Sequence, residues 1–133
     1  MTEPMNYQFH KENTIPPRGW VWVFGSNLKG QHGSGAAKVA HANFSAPYGA
    51  FRGSVGQAYA IPTNDKKLNL ICLVDIKNDV AEFLEVAKNT PKSKYFVTRI
   101  GCGFSGYEDS EIAPFFRGAP DNCSFNEAWK GYL

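Results

Sequence analysis

The stretch GWVWVF (Gly19–Phe24), followed by GSNLKGQHGSGAA (25–37), decides the fold class. Valine and aromatic residues occupy both faces of the first segment, which predicts a strand over Trp20–Phe24 buried inside a sheet. The glycine- and serine-rich run after it predicts a loop, and the alanines that end this run predict a helix beginning near Ser34 or Gly35. Strand, glycine loop and helix in this order are typical of a βαβ unit.

The same alternation continues along the chain. Two more short apolar runs predict buried strands over Ala58–Ile61, stopped by Pro62, and over Tyr95–Ile100. Between them, the apolar residues of 71–87 recur at the i, i+3, i+4, i+7 spacing of an amphipathic helix. We therefore expect a single α/β domain over residues 1–133, a three-layer sandwich with a mostly parallel central sheet.

The other segments carry weaker signals. Residues 1–18 contain three prolines and predict an irregular N-terminal arm, and the glycine-rich stretch 45–55 predicts an irregular loop. Other expectations are a cap on the long helix by Asp75 or Asn78, a short helix through Phe116 capped by Asp109 or Ser110, and an edge strand at 122–125.

Composition excludes several function classes. The net charge is only +2 and no basic stripe is visible, so we expect no extended nucleic-acid partner. Cys72, Cys102 and Cys123 show no paired short spacing, which predicts neither disulfides nor a zinc site, and no cofactor motif is found. The apolar runs are too short to span a bilayer, so we expect no membrane partner and a cytoplasmic protein.

Two glycine-rich loops follow predicted strands directly. The first is 25–35, and the second is GCGFSGY (101–107). Glycines let the backbone approach a ligand closely, and a following helix aims free N–H groups outward, so such loops favour phosphate. In parallel sheets ligands bind beyond the carboxyl ends of the strands, where both loops are expected. The alternative is two unrelated turns.

At this point the chain resembles a known family. GSN (25–27) followed by GQHGSGAA (30–37) is similar to the first ligand loop of macro domains, and TRIGCGF (98–104) resembles their second ligand loop. YAIPT (59–63) resembles the strand between them. The resemblance covers about residues 20–129. It is closest to small phage and bacterial macro-like proteins and to the branch of the terminal ADP-ribose protein glycohydrolase.

The resemblance implies ADP-ribose or a relative as ligand, with its diphosphate on backbone N–H groups of Gly33–Ala36 and Gly103–Gly106. It implies Asn27 near the distal ribose. The residues expected to line the ligand are Gly25, Ser26, Gly30, Gly33, Ser34, Gly35, Ala36, Thr63, Gly101, Cys102, Gly103, Phe104, Ser105, Gly106 and Tyr107. Asn64 and Ser105 stand where the glycohydrolase branch has a lysine and an aspartate, so its lysine–aspartate mechanism is not expected here, unless Lys66 substitutes from the loop.

Few residues have the chemistry for catalysis. A histidine inside a phosphate loop can act as general acid or base near neutral pH, so His32 is a candidate for this role, unless it only donates a hydrogen bond to phosphate. Asn27 is a candidate for orienting the ribose or a water, unless it caps its own turn. Cys102 lies between glycines and is interpreted as a small residue and not a nucleophile. Phe44, Tyr48 and Phe51 are candidates for an adenine-stacking surface.

Two function classes follow. The first is an enzyme that hydrolyses ADP-ribose 1″-phosphate or removes ADP-ribose from a modified target. The second is a non-catalytic phage-type binder that sequesters an ADP-ribose-derived or cyclic nucleotide defence signal in the host cytoplasm. The histidine favours the enzyme, and the small number of catalytic pairs favours the binder.

Overall fold

A computed structural model of the protein describes residues 8–29, 35–47, 49–67, 69–102 and 106–133. In chain order the strands and α-helices are β1 (Gln8–His10), β2 (Trp20–Asn27), α1 (Gly35–Asn43), β3 (Gly53–Val55), β4 (Ala58–Asn64), α2 (Leu73–Asn89), β5 (Lys94–Val97), α3 (Asp109–Ile112) and β6 (Cys123–Asn126). Short 3₁₀ helices cover Ala113–Phe116 and Glu127–Tyr132.

The six strands form one sheet in the order β1-β6-β5-β2-β4-β3. Every neighbouring pair is parallel except β3 with β4. The prediction of an α/β domain with a mostly parallel sheet is therefore confirmed. Because β2, β4, β5 and β6 run in one direction, their carboxyl ends meet along one edge of the molecule, called the carboxyl edge below.

Two apolar clusters, one on each face of the sheet, make the three layers. Trp22 and Phe24 pack on the face that α1 covers, and Val23 points to the opposite face, against α2. Phe83 of α2 is completely buried there. Burial of such a side chain contributes roughly 1.5–3 kcal/mol, so these two layers hold β2 in the centre of the sheet.

Several strand bounds differ from the predictions. β2 continues beyond Phe24 through GSN to Asn27, and β5 ends at Val97. Pro62 does not stop β4, which runs on to Asn64. β3 pairs with β4 only as far as Ala60. Beyond that point β4 lies at the edge of the sheet, where a residue without an N–H is tolerated.

Four other expectations are wrong. The predicted irregular arm contributes β1, which pairs with β6. The edge strand expected at 122–125 is β6 at Cys123–Asn126, and it lies inside the sheet between β1 and β5. The stretch 45–55 contributes β3. The cap of α2 is Cys72 and not Asp75 or Asn78. None of the helices in the described ranges is long and apolar enough to cross a membrane.

Candidate functional site

Gly25 is the point where three parts of the carboxyl edge meet. A Cβ atom on this glycine would lie 3.3 Å from Thr63 Oγ1 and 3.4 Å from the backbone nitrogen of Gly101. Gly25 lies at the end of β2, Thr63 at the end of β4, and Gly101 opens the second glycine loop. The structure therefore brings together Gly25, Thr63 and Gly101, three of the residues predicted to line the ligand.

The second loop needs glycine at both of its described ends. Gly101 has φ +75° and Gly106 has φ +95°, a region that side chains rarely adopt. The backbone N–H of Tyr107 donates to the carbonyl oxygen of Gly101 at 3.1 Å, which closes the base of the loop. A Cβ on Gly106 would also meet the Leu70 side chain at 3.3 Å.

Tyr107 connects the second loop to the segment after β4. Its hydroxyl donates to the carbonyl oxygen of Ile71 at 2.7 Å. The backbone N–H of Ile71 in turn donates to the carbonyl oxygen of Thr63 at 2.9 Å. The Tyr107 hydroxyl hydrogen is therefore used within the fold, and only the oxygen lone pairs of this group are suited to a ribose hydroxyl.

The hydroxyls of Ser26 and Thr63 are buried at the ends of β2 and β4. Ser26 Oγ donates to the carbonyl oxygen of Phe51 at 2.5 Å. Thr63 Oγ1 lies 3.3 Å from the carbonyl oxygen of Ser26 and 3.0 Å from Asn64 Oδ1, and it has one hydrogen to share between them. Both hydroxyls hold the carboxyl edge together, because a buried polar group must be paired.

Asn27 caps the turn that leaves β2. Its Oδ1 accepts a hydrogen bond from the backbone N–H of Lys29 at 3.1 Å, two residues further on. The pairing with β4 also shifts register between Ser26 and Asn27. This turn directs the chain out of the sheet towards the first glycine loop, which is the structural role that asparagine often has after a strand.

The first turn of α1 lies beside β2. The indole Nε1 of Trp22 donates to the carbonyl oxygen of Ala36 at 2.9 Å, which fixes the start of this nine-residue helix against the sheet. Gly35 and Ala36 open this helix, where the first backbone N–H groups have no acceptor within the helix itself. Predicted site residues that lie outside the described ranges are Gly30, His32, Gly33, Ser34, Gly103, Phe104 and Ser105.

Cys102 is not suited to act as a nucleophile. Burial raises the pKa of its thiol to about 12, and a hydrogen bond to the Asp109 carboxylate acts in the same direction. The thiol is therefore protonated at neutral pH, and a thiolate is the form that attacks. This agrees with the interpretation of Cys102 as a small residue beside the loop.

The expected role of Asp109 as a helix cap is wrong. Glu108 occupies the cap position of α3, and its backbone N–H donates to Glu111 Oε1 at 3.1 Å. Asp109 instead accepts from Arg99 at both carboxylate oxygens, Nε to Oδ1 at 3.0 Å and Nη2 to Oδ2 at 2.6 Å. The arginine holds the pKa of this carboxyl below its usual range. Sequence inspection missed this pair, although opposite charges flanking a glycine loop are a signal for it.

The aromatic candidates for adenine stacking are dispersed. Phe44 is buried and stacks on Trp22, with ring centroids 5.1 Å apart, so it belongs to the core. Phe51 is 38% exposed, next to the end of β2 through the Ser26 hydrogen bond. Tyr48 lies outside the described ranges. Of the two described candidates, Phe51 is the exposed one, and its backbone carbonyl oxygen lies at the end of β2.

A cavity of about 630 Å³ lies at the opposite edge of the sheet. It is lined by Gly19 and Gln57, which precede β2 and β4, and by Ser45 after α1. In parallel sheets with helices on both faces, ligands bind at the carboxyl ends of the strands. The cavity therefore lies at the opposite end of the sheet from the site predicted at the glycine loops.

The order of strands, the single antiparallel strand and the helix layers give the chain a macrodomain-like fold. The chain is similar to the macrodomain of Mycobacterium tuberculosis DarG, with 14% identity, a TM-score of 0.72, and 92% of this chain and 97% of that chain covered. It is also similar to a Bacteroides thetaiotaomicron protein of unknown function, with 16% identity, a TM-score of 0.65, and 93% and 99% covered.

A third similar structure is Thermosipho africanus DarTG, which was solved in complex with ADP-ribose. The identity is 16%, the TM-score 0.58, and the match covers 82% of this chain but only 38% of that longer chain. No protein-family model and no curated protein matches the chain. At 14–16% identity these structural similarities show the fold alone, and the chemistry must be argued from the site itself.

Proposed function

We propose that the chain binds ADP-ribose or a related nucleotide at the carboxyl edge and hydrolyses an ADP-ribose derivative. The observation that carries the proposal is the contact of Gly25 with both Thr63 and Gly101. Gly25, near the end of β2, thus lies close to the end of β4 and to the start of the second glycine loop, which supports a single ligand bound between the two loops. The similarity to a DarTG structure holding ADP-ribose supports the choice of nucleotide.

The diphosphate is assigned to the backbone N–H groups of Gly33–Ala36 and Gly103–Gly106. The start of α1 supports this assignment, since a helix N-terminus carries free donors and a partial positive charge. Asn27 is assigned to the distal ribose, and His32 to general acid or base catalysis. The target is ADP-ribose 1″-phosphate or an ADP-ribosylated protein.

The binding half of the proposal is tested by calorimetry with ADP-ribose, ADP and AMP. One ADP-ribose per chain is expected, bound more tightly than ADP, because ADP lacks the distal ribose. Gly35→Val is expected to abolish binding while the fold survives, since a branched side chain would occupy the space that the phosphates need. Unchanged affinity in a folded Gly35→Val variant would remove the first loop from the site.

The catalytic half is tested by mass analysis of the recovered ligand after incubation with ADP-ribose 1″-phosphate or with an ADP-ribosylated protein. His32→Ala is expected to lower turnover roughly 10²–10⁴-fold with little change in affinity. Full turnover in that variant would exclude His32 as the acid or base.

A second candidate function is sequestration without turnover. It is favoured by the described chemistry of the carboxyl edge: Asn27 Oδ1 caps its own turn, and the Cys102 thiol is protonated at neutral pH. Under this function every ligand is recovered intact after binding. Release of phosphate or of free ADP-ribose would rule it out.

A further inference from the structure

The two ends of the second glycine loop are joined by an ion pair. Arg99 lies two residues before Gly101, and Asp109 lies two residues after Tyr107. The guanidinium donates through Nε and Nη2 to the two carboxylate oxygens at 3.0 and 2.6 Å. This two-pronged geometry fixes the relative orientation of the two side chains as well as their distance.

The ion pair is attached to the core on one side. Trp129 is fully buried beside Phe116 and Phe125, and its Nε1 donates to Asp109 Oδ1 at 2.7 Å. Because Trp129 cannot move without disturbing this aromatic cluster, the Asp109 carboxylate has a fixed position, and Arg99 takes its orientation from it.

Glu12 holds the same arrangement from the other side. Its Oε2 accepts from the buried Asn126 Nδ2 at 2.8 Å and from Arg99 Nη1 at 3.4 Å. Three of the five N–H donors of Arg99 are therefore used within the fold, which favours a role in supporting its neighbours over a direct contact with phosphate.

Arg99 keeps 32% of its side chain exposed, which weakens an ordinary ion pair. A two-pronged pair within a network is an exception, so this arrangement also contributes to the free energy of folding. The pair also fixes the backbone beside it. The N–H of Cys102 donates to the carbonyl oxygen of Arg99 at 3.2 Å, and the nitrogen of Gly101 lies against Gly25.

From this geometry we propose that Arg99, Asp109 and Trp129 are positioning residues, which hold the backbone of Gly101 and Cys102 ready for the ligand before it binds. The inference rests on the proposed function. When only a fraction of the molecules has the loop in its binding-competent conformation, the apparent affinity for the ligand falls by that fraction. A loop that is already held in this conformation avoids the loss. The network acts through the loop and does not touch the ligand.

The test compares Arg99→Lys and Asp109→Asn with Arg117→Lys as the matched control. Lysine keeps the positive charge at position 99 but cannot donate the two parallel hydrogen bonds of the guanidinium. Asparagine at position 109 still accepts from Trp129 but cannot form the ion pair. Arg117 also bridges two segments, through Nε to the carbonyl oxygen of Tyr132 at 2.9 Å, and none of its described hydrogen bonds is to the loop.

Two readouts are needed, the dissociation constant for ADP-ribose and the hydrogen exchange of single amides. Both loop variants are expected to lose affinity for ADP-ribose roughly tenfold. This is the loss expected when the loop has its binding-competent conformation in only about a tenth of the molecules. The amides of Cys102 and Tyr107 should exchange faster, while that of Thr98, which donates to Val23 in the sheet, should not change. Arg117→Lys should match the wild type in both readouts.

The outcomes separate this inference from the proposed function. If the wild type binds no ADP-ribose, the proposed function fails, and exchange at Cys102 and Tyr107 still decides whether the pair holds the loop. Wild-type exchange and affinity in both loop variants would overturn the inference. Equal acceleration at Thr98 and at the loop amides would also overturn it, because the pair would then only stabilise the whole fold.

Discussion

Replacement of Gly25 by alanine tests how closely the three parts of the carboxyl edge are packed. The added Cβ would lie 3.3 Å from Thr63 Oγ1, 3.4 Å from Thr63 Cγ2 and 3.4 Å from the nitrogen of Gly101. The contact with Thr63 Oγ1 is shorter than a Cβ atom usually makes, so this oxygen must move by a few tenths of an ångström, while the two 3.4 Å contacts lie at the short limit of ordinary van der Waals contact. Gly25 is not at positive φ, so the cost comes from contact and not from the backbone.

The magnitude follows from these distances. Overpacking of a well-filled interior costs about 1–3 kcal/mol, and one contact that is only slightly short belongs at the low end, about 1 kcal/mol. A displaced Gly101 nitrogen is expected to cost the complex with ADP-ribose about 1 kcal/mol, which corresponds to a roughly 5-fold loss of affinity.

The assay is urea unfolding combined with calorimetry for ADP-ribose. The matched control is Gly131→Ala, where nothing lies within 4 Å of the added Cβ, and its stability should stay within about 0.5 kcal/mol of the wild type. Thr63→Ser removes the Cγ2 atom and with it one of the three contacts. In the double variant Gly25→Ala with Thr63→Ser, part of the lost stability should therefore be recovered. Equal stability and affinity of the Gly25 and Gly131 variants would refute the close packing.

Three further outcomes are expected. Cys102→Ala should keep turnover within about twofold of the wild type, because the thiol with its pKa near 12 is not a nucleophile; a complete loss in a folded variant would contradict this. Burial lowers the pKa of His10 from 6.5 to about 4. The neutral ring therefore contributes its full stability above pH 6.5, and this contribution is lost as the pH falls towards 4. An NMR titration of the ring with a midpoint near 6.5 would disprove the lowered pKa. Asn27→Ala should cost about 1 kcal/mol of unfolding free energy through the lost turn cap and should weaken ADP-ribose more than ADP; equal loss for both ligands would place Asn27 on the phosphates.

The central strands could be predicted because their signal is local. In β2 the alternation of Trp22 and Phe24 with Val23 reflects burial on both faces, which composition reveals directly. The interior position of β6 could not be predicted, since it depends on pairing with Gln8–His10, more than a hundred residues earlier. Short strands with long-range partners carry little signal of their own.

The same distinction holds at the candidate site. Glycines at positions 25, 101 and 106 were found from the sequence, because close approach and positive φ leave few alternatives to glycine. The contact of Asp109 with Trp129 joins side chains twenty residues apart through the folded core. A local interpretation of Asp109 as a helix cap was therefore wrong for a reason that only tertiary structure supplies.

The central claim is that a nucleotide binds at the carboxyl edge, and mapping of amide chemical shifts during titration with ADP-ribose tests it most directly. The account predicts the largest shifts at the backbone N–H groups of Gly25, Ala36, Gly101 and Cys102, with saturation at one ligand per chain. Shifts concentrated at Gly19, Ser45 and Gln57 around the opposite cavity, or no shifts at millimolar ligand, would contradict it.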